Sequence, residues 1–216
     1  MKGFKMTTQS KDAKKSVRIF INDVEFEAPD QKMTGAEIKA LGGVPPANSL
    51  YEEVPGPRPD VKVEDNEVVH LKKGDRFYDI PPAVKGEDLQ GVLPLVNDQI
   101  RRVRRDYPGL AVTKQADGSI DLEIASFQLP PGWTETETAV MVSVPVGYPD
   151  SKPQGFFVDT DLGLASRSQA GGLSGPQDRN GRSWNYFCWN SESWNPHRDG
   201  LWKYFKIMLS RFEDLT

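Results

Sequence analysis

Phe127-Gln128-Leu129-Pro130-Pro131-Gly132-Trp133 is the stretch on which the fold turns. Adjacent prolines followed by glycine make it a turn, not a continuing strand. Behind it, Leu110 to Lys114 and Ser119 to Phe127 flank Asp117-Gly118, a strong hairpin signal. Ahead of it, Thr138 to Pro145 reads as a third strand. Gly147-Tyr148-Pro149 and Pro153 then lead to a fourth, Phe156 to Asp159. The four strands form an antiparallel meander. A helix precedes them, because Val96, Ile100, Val103 and Tyr107 recur on one face until Pro108-Gly109 stops it. Its other face carries Arg101, Arg102, Arg104 and Arg105 and is expected to be solvated. Leu162 to Arg182 is rich in Gly, Ser and Gln without periodicity, which predicts an irregular loop. A last helix runs from about Arg198 to Phe212, with Leu201, Tyr204, Phe205, Met208 and Phe212 on its packed face.

A second, smaller unit lies upstream. Val17 to Asn22 and Val24 to Ala28 alternate apolar and polar around the turn Asn22-Asp23, which is a hairpin. Thr34 with Glu37 is a capping box, Ile38 and Leu41 give its short helix an apolar side, and Gly42-Gly43 ends it. Short strands follow at Leu50 to Val54, Glu67 to Leu71 and Arg76 to Tyr78. One helix packed diagonally on a small mixed sheet suits this order. The expected boundaries are a solvated tail at 1–16, the first domain at 17–84, a linker at 85–90 and the second domain at 91–216. The class is α+β in two modest domains.

Composition limits the function. The formal charge of −4 argues against general binding of nucleic acid or acidic membrane surfaces. No apolar run reaches the ~20 residues that span a bilayer. The first residues carry Lys without an apolar core, unlike a signal peptide. A single cysteine cannot form an internal disulfide and fits a reducing compartment, so the cytoplasm is expected. His70 and His197 are too few and too scattered for a metal site, and no cofactor is implied.

Chemistry concentrates in Ser183-Trp184-Asn185-Tyr186-Phe187-Cys188-Trp189-Asn190-Ser191-Glu192-Ser193-Trp194-Asn195-Pro196, which holds the chain's one cysteine and three of its five tryptophans. A thiol is partly thiolate near neutrality, and thiolate attacks acyl carbons well. The plainer reading is a small hydrophobe packed among aromatics.

Residues 91–216 resemble the ubiquitin-conjugating enzyme fold in its divergent prokaryotic E-type family. The residues that carry the resemblance are Phe127 to Trp133, Val144-Pro145 with Gly147-Tyr148-Pro149-Asp150, Gly155 to Val158, and Trp194-Asn195-Pro196. Residues 17–84 resemble the multiubiquitin domain, a ubiquitin-like β-grasp. They do so through Ile19, Ile21-Asn22, Met33-Thr34-Gly35, Glu37-Ile38, Leu41-Gly42-Gly43, Leu50-Tyr51-Glu52, Val69, Leu71, Arg76-Phe77-Tyr78 and Pro81-Pro82. The resemblance implies a β-grasp domain followed by a shortened conjugating-enzyme fold with one helix beyond the active site.

It also implies that Cys188, six positions before Trp194, accepts an acyl group as a thioester and passes it to an amine. Trp189, Trp194 and Pro196 would support that site. Conjugating enzymes place an oxyanion-stabilising Asn eight residues before the cysteine. Asn180 stands there, but after Asp178-Arg179, so the motif is broken; Asn185 or a backbone N–H is its rival, and Asn180-Gly181 also reads as a tight turn. The implied partners are an activating enzyme, docked on Arg101, Arg102, Arg104 and Arg105, a ubiquitin-like modifier, and a deconjugating protease of the same operon. Antiphage defence is the biological setting that such operons imply. Three roles stay open for the first domain: a fixed module, a modifier cut free after Gly86, or a vestigial fusion. A non-catalytic adaptor is the alternative to the enzyme, and the exposure of Cys188 distinguishes them.

Overall fold

The computed structural model describes residues 16–55, 58, 60–83, 89–166, 169–189, 194–196 and 199–215. Residues 1–15 of the expected tail, most of the linker with Gly86, and His197 lie outside the described residues. The chain divides into two compact units. The first takes in the chain to Glu53 and Asp60–Asp79, and the second Val54–Pro59 and Ile80–Thr216.

In the first unit β1 (Val17–Ile21) and β2 (Val24–Ala28) pair antiparallel. Asn22 and Asp23 between them have φ of 51° and 65°, the left-handed pair that a two-residue hairpin turn requires. β3 (Lys32–Thr34) leads into α1 (Gly35–Leu41), where the Glu37 amide donates to Thr34 Oγ1 at 3.3 Å and the Thr34 amide to Glu37 Oε2 at 2.7 Å. β4 (Ser49–Glu52), β5 (Val61–Val63), β6 (Val68–His70) and β7 (Arg76–Ile80) follow. The main sheet runs β2-β1-β7-β4-β5 with β1 and β7 parallel, while β3 pairs β6. Ile38 of α1 is buried with Ile19, Ile21, Leu50 and Phe77. The buried carboxylate of Asp79 accepts from Asn22 Nδ2 at 2.6 Å and Asn48 Nδ2 at 2.5 Å, so its desolvation is offset by amide donors. A lone helix on a mixed sheet with a parallel central pair is a β-grasp.

The second unit is one antiparallel sheet with its helices on one face. α2 (Pro94–Asp106) is followed by β8 (Ala111–Lys114), β9 (Ile120–Gln128), β10 (Glu137–Val144) and β11 (Phe156–Val158). These are the four strands of the expected meander. The sheet does not stop there. Leu173–Arg179 (β12) and Arg182–Phe187 (β13) form a hairpin that docks on β11, giving the order β12-β13-β11-β10-β9-β8. The irregular loop expected from Leu162 to Arg182 is therefore wrong from Leu173 onward. β12 is an edge strand exposed along most of its length, so it has no inward apolar row to betray it. α3 (Leu201–Leu209) and the 3-10 turn Ser210–Glu213 complete the unit.

Strand alternation sorts the sheet's two faces. Leu122, Ile124, Val140, Val142, Phe156, Val158 and Phe187 join Val96, Ile100 and Val103 of α2 and Tyr204, Phe205 and Met208 of α3 in the main core. Their neighbours Ala139, Met141, Phe157 and Trp184 form a smaller cluster on the other face, with Tyr186 against it. Among the described residues no helix is long and apolar enough to cross a membrane.

Candidate active site

Cys188 follows β13 directly and is exposed. Its amide donates to the Gly172 carbonyl at 2.9 Å, continuing the β12–β13 ladder one residue beyond the strand. On the other side, β11 and β13 pair Phe156 with Phe187 and Phe157 with Tyr186, so the same register sets Gly155 opposite Cys188. The cysteine is thus flanked across the sheet by two glycines. Neither could be another residue without movement. A Cβ on Gly155 would lie 2.2 Å from the Phe187 carbonyl oxygen, and one on Gly172, where φ is +76°, would lie 3.2 Å from the Cys188 carbonyl oxygen.

Aromatic side chains build the surroundings. Tyr204 donates its hydroxyl to the carbonyls of Gly155 at 3.2 Å and Trp189 at 3.4 Å. Trp189 donates to the Ile207 carbonyl at 3.2 Å, which ties the residue after the cysteine to α3. Trp194 donates to the Pro149 carbonyl at 2.7 Å and packs on Tyr148, with ring centroids 5.9 Å apart. The Tyr148 hydroxyl in turn donates to Gln99 Oε1, which also accepts the Leu201 amide at 3.0 Å. Gln99 of α2 thereby caps the start of α3. Pro196 is half-buried. Asn190, Ser191, Glu192 and Ser193 lie outside the described residues.

Arg211 holds the glycine side. It is buried, donates Nη2 to the Gly171 carbonyl at 2.8 Å, and lies 5.1 Å from the Phe187 ring and 5.3 Å from the Trp189 ring. Burial lowers its pKa, but from so high a starting value that it stays charged. The Tyr186 hydroxyl is pushed above its ordinary pKa by burial first and then by its electrostatic interaction with neighbouring Cys188. Tyr204 is raised further, by burial and then by its electrostatic interactions with Tyr186 and Cys188. Both phenols therefore remain protonated donors at neutral pH.

The expected asparagines are elsewhere. Asn180, with φ of 55°, forms with Gly181 the turn at the far end of the β12–β13 hairpin. At about 3.3 Å per residue, that turn is roughly 25 Å from Cys188. Its amide serves the sheet, donating to Asp121 Oδ2 at 3.0 Å and accepting from Gln115 at 2.9 Å. Asn185 donates to the Thr160 carbonyl at 3.1 Å, and alternation sets it on the face opposite Tyr186 and Cys188.

The basic face of α2 also differs from expectation. Arg102 is buried, with its guanidinium 3.6 Å from the centroid of the Trp202 ring. A guanidinium is weakly hydrated for a cation, and stacking on indole offsets much of the loss of water. Arg101 pairs with Asp98, Arg104 donates to the Leu110 carbonyl at 3.4 Å, and Arg105 pairs with Asp106 at 2.8 Å. These four do not form one solvated face. Sequence reasoning missed Gly155, Gly172, Tyr186 and Arg211. The alternation Trp184-x-Tyr186-x-Cys188 could have found Tyr186.

A β-grasp followed by a helix and an antiparallel sheet is the architecture of a ubiquitin-like domain joined to a conjugating-type domain. The comparisons agree. Residues 106–214, just over half of the chain, match the family described as Prokaryotic E2 family E, and residues 17–79 match Multiubiquitin. The chain belongs to Prokaryotic E2 family E. No curated protein matches it. Its domains connect it to ubiquitin conjugation in general, a process that uses an activating enzyme and a modifier.

Proposed function

We propose that this chain is a conjugating enzyme of a bacterial ubiquitination-like pathway acting through Cys188. The observation that carries the reading is the exposed thiol at the end of β13, in a domain of the E2 family. In the first step the Cys188 thiolate attacks the acyl carbon of a modifier held as a thioester on its activating enzyme. A C–S bond forms to Cys188 and the activating enzyme's thiolate leaves. In the second step an amine attacks the new thioester, a C–N bond forms, the Cys188 thiolate leaves, and the amine's proton passes to solvent.

The first domain is proposed to be a fixed module that binds partners, since Lys85-Gly86-Glu87-Asp88 is not a di-glycine tail. The lone cysteine suits a reducing cytoplasm. The proposed docking of an activating enzyme on α2 draws on Arg101, Arg104 and Arg105, with Arg102 committed to Trp202. A deconjugating protease would complete the pathway.

The test combines the protein with its cognate activating enzyme, modifier, ATP and Mg²⁺, on reducing and non-reducing gels. A thiol-sensitive adduct that is lost or becomes alkali-labile in Cys188→Ser is expected. No adduct beside an activating enzyme that charges itself normally would leave the adaptor role instead.

A further inference from the structure

The reaction just proposed passes through tetrahedral intermediates whose oxygen carries negative charge, and such an oxygen needs a positioned donor. Asn180 is at the other end of the hairpin, Asn185 is engaged with Thr160, and the Cys188 amide is engaged with Gly172. On the cysteine's face of β13, Arg182 is paired with Asp159 and Trp184 Nε1 donates to the Arg179 carbonyl, which leaves the Tyr186 hydroxyl. We propose that the Tyr186 hydroxyl is the oxyanion donor for acyl transfer at Cys188, an inference that rests on reading Cys188 as the acyl acceptor.

The geometry comes from the ladder. Tyr186 and Cys188 are two residues apart on one strand path and point to one face. Gly155 is the cross-strand neighbour of Cys188, and the Tyr186 hydroxyl lies 2.5 Å from where a Gly155 Cβ would stand. The phenol oxygen therefore stands beside the strand path that ends at Cys188. Donation requires the carbonyl oxygen of an acylated Sγ to turn toward that hydroxyl. The ring is held by Phe157, whose centroid is 4.9 Å away, and by the Trp184 cluster. Among the described residues the Tyr186 hydroxyl meets no hydrogen-bond acceptor, whereas that of neighbouring Tyr204 is committed to two carbonyls. Gly155 is thus needed to seat the phenol.

The experiment compares two reactions of the full chain's only thiol. Acetylation by p-nitrophenyl acetate forms a C–S bond, expels p-nitrophenolate and passes through an oxyanion. Alkylation by iodoacetamide displaces iodide at a saturated carbon and has no oxyanion. Tyr186→Phe is expected to slow acetylation about 10²-fold and to leave alkylation within about twofold, with Cys188→Ser abolishing both. Equal changes in the two rates, or unchanged acetylation, would overturn the proposal. Should Tyr186→Phe fail to fold, Tyr186→3-fluorotyrosine keeps the shape with a stronger donor and must speed acetylation alone. Failure of the modifier thioester to form on native protein, with the two small-molecule rates still separating, would retire the conjugating reading and keep Tyr186 as donor. Equal modifier loading and discharge in native and Tyr186→Phe protein would retire Tyr186 alone.

Discussion

Gly155 and Tyr186 share a single volume: the phenol carbon of Tyr186 lies 2.6 Å, and its hydroxyl 2.5 Å, from the point a Gly155 side chain would occupy. The Phe187 carbonyl, fixed in the sheet, is closer still at 2.2 Å. Even one methyl must therefore move backbone, at about 1–3 kcal/mol. Gly155→Ala is expected to lower the urea midpoint accordingly and, by displacing the hydroxyl, to slow acyl transfer at Cys188. An unchanged midpoint would mean that the strands are not this close.

Arg102 and Arg105 are neighbours on α2 with opposite circumstances. Arg102 is buried against Trp202, whereas Arg105 pairs with Asp106 beside solvent. Arg102→Ala removes a desolvated cation–π contact and its packing, and should cost about 2 kcal/mol or more. Arg105→Ala should stay within about 0.5 kcal/mol. Chemical denaturation followed by tryptophan fluorescence separates them, since all five tryptophans belong to the second unit.

Asn180 tests the distance argument. Its left-handed backbone and its bonds to Asp121 and Gln115 make it a hairpin residue. Asn180→Ala should lose about 1–3 kcal/mol through unsatisfied partners, while thioester formation on Cys188, measured well below the melting temperature, stays within about twofold. A hundredfold loss of loading in a folded variant would restore Asn180 to the chemistry.

These residues also show where the sequence was readable. Asn22-Asp23, the Thr34–Glu37 box and the meander were legible because each is written within a few consecutive residues. The β12–β13 hairpin was obscured because β12, Leu173 to Arg179, is an exposed edge containing Gly175 and Pro176. Its one local sign, Asn180-Gly181, read only as a turn. Arg102 could not be read as buried, because its partner Trp202 lies a hundred residues on. Cys188 was legible as a thiol among aromatics. Its exposure and its two glycine neighbours depend on strand register, which local pattern leaves open.

The buried phenols of Tyr148 and Tyr204, with half-buried Tyr186, predict an alkaline limit to stability. Tyr148, Tyr186 and Tyr204 all have pKa values raised from 10.0, burial being the largest cause in each. Between the ordinary value and the raised one, the folded protein keeps protons that the unfolded chain has released. Their contribution is therefore complete below pH 10 and is lost progressively as pH rises through the folded values. Guanidinium midpoints should be level from about pH 8 to 9.5 and fall above about 10, with tyrosinate absorbance from the second unit appearing together with the loss of native tryptophan fluorescence. Tyr204→Phe should flatten that decline. It should also lower the midpoint at neutral pH, because the Gly155 and Trp189 carbonyls lose their shared donor. A tyrosinate signal that rises to its full extent near pH 10 in protein still folded would contradict the burial of these rings.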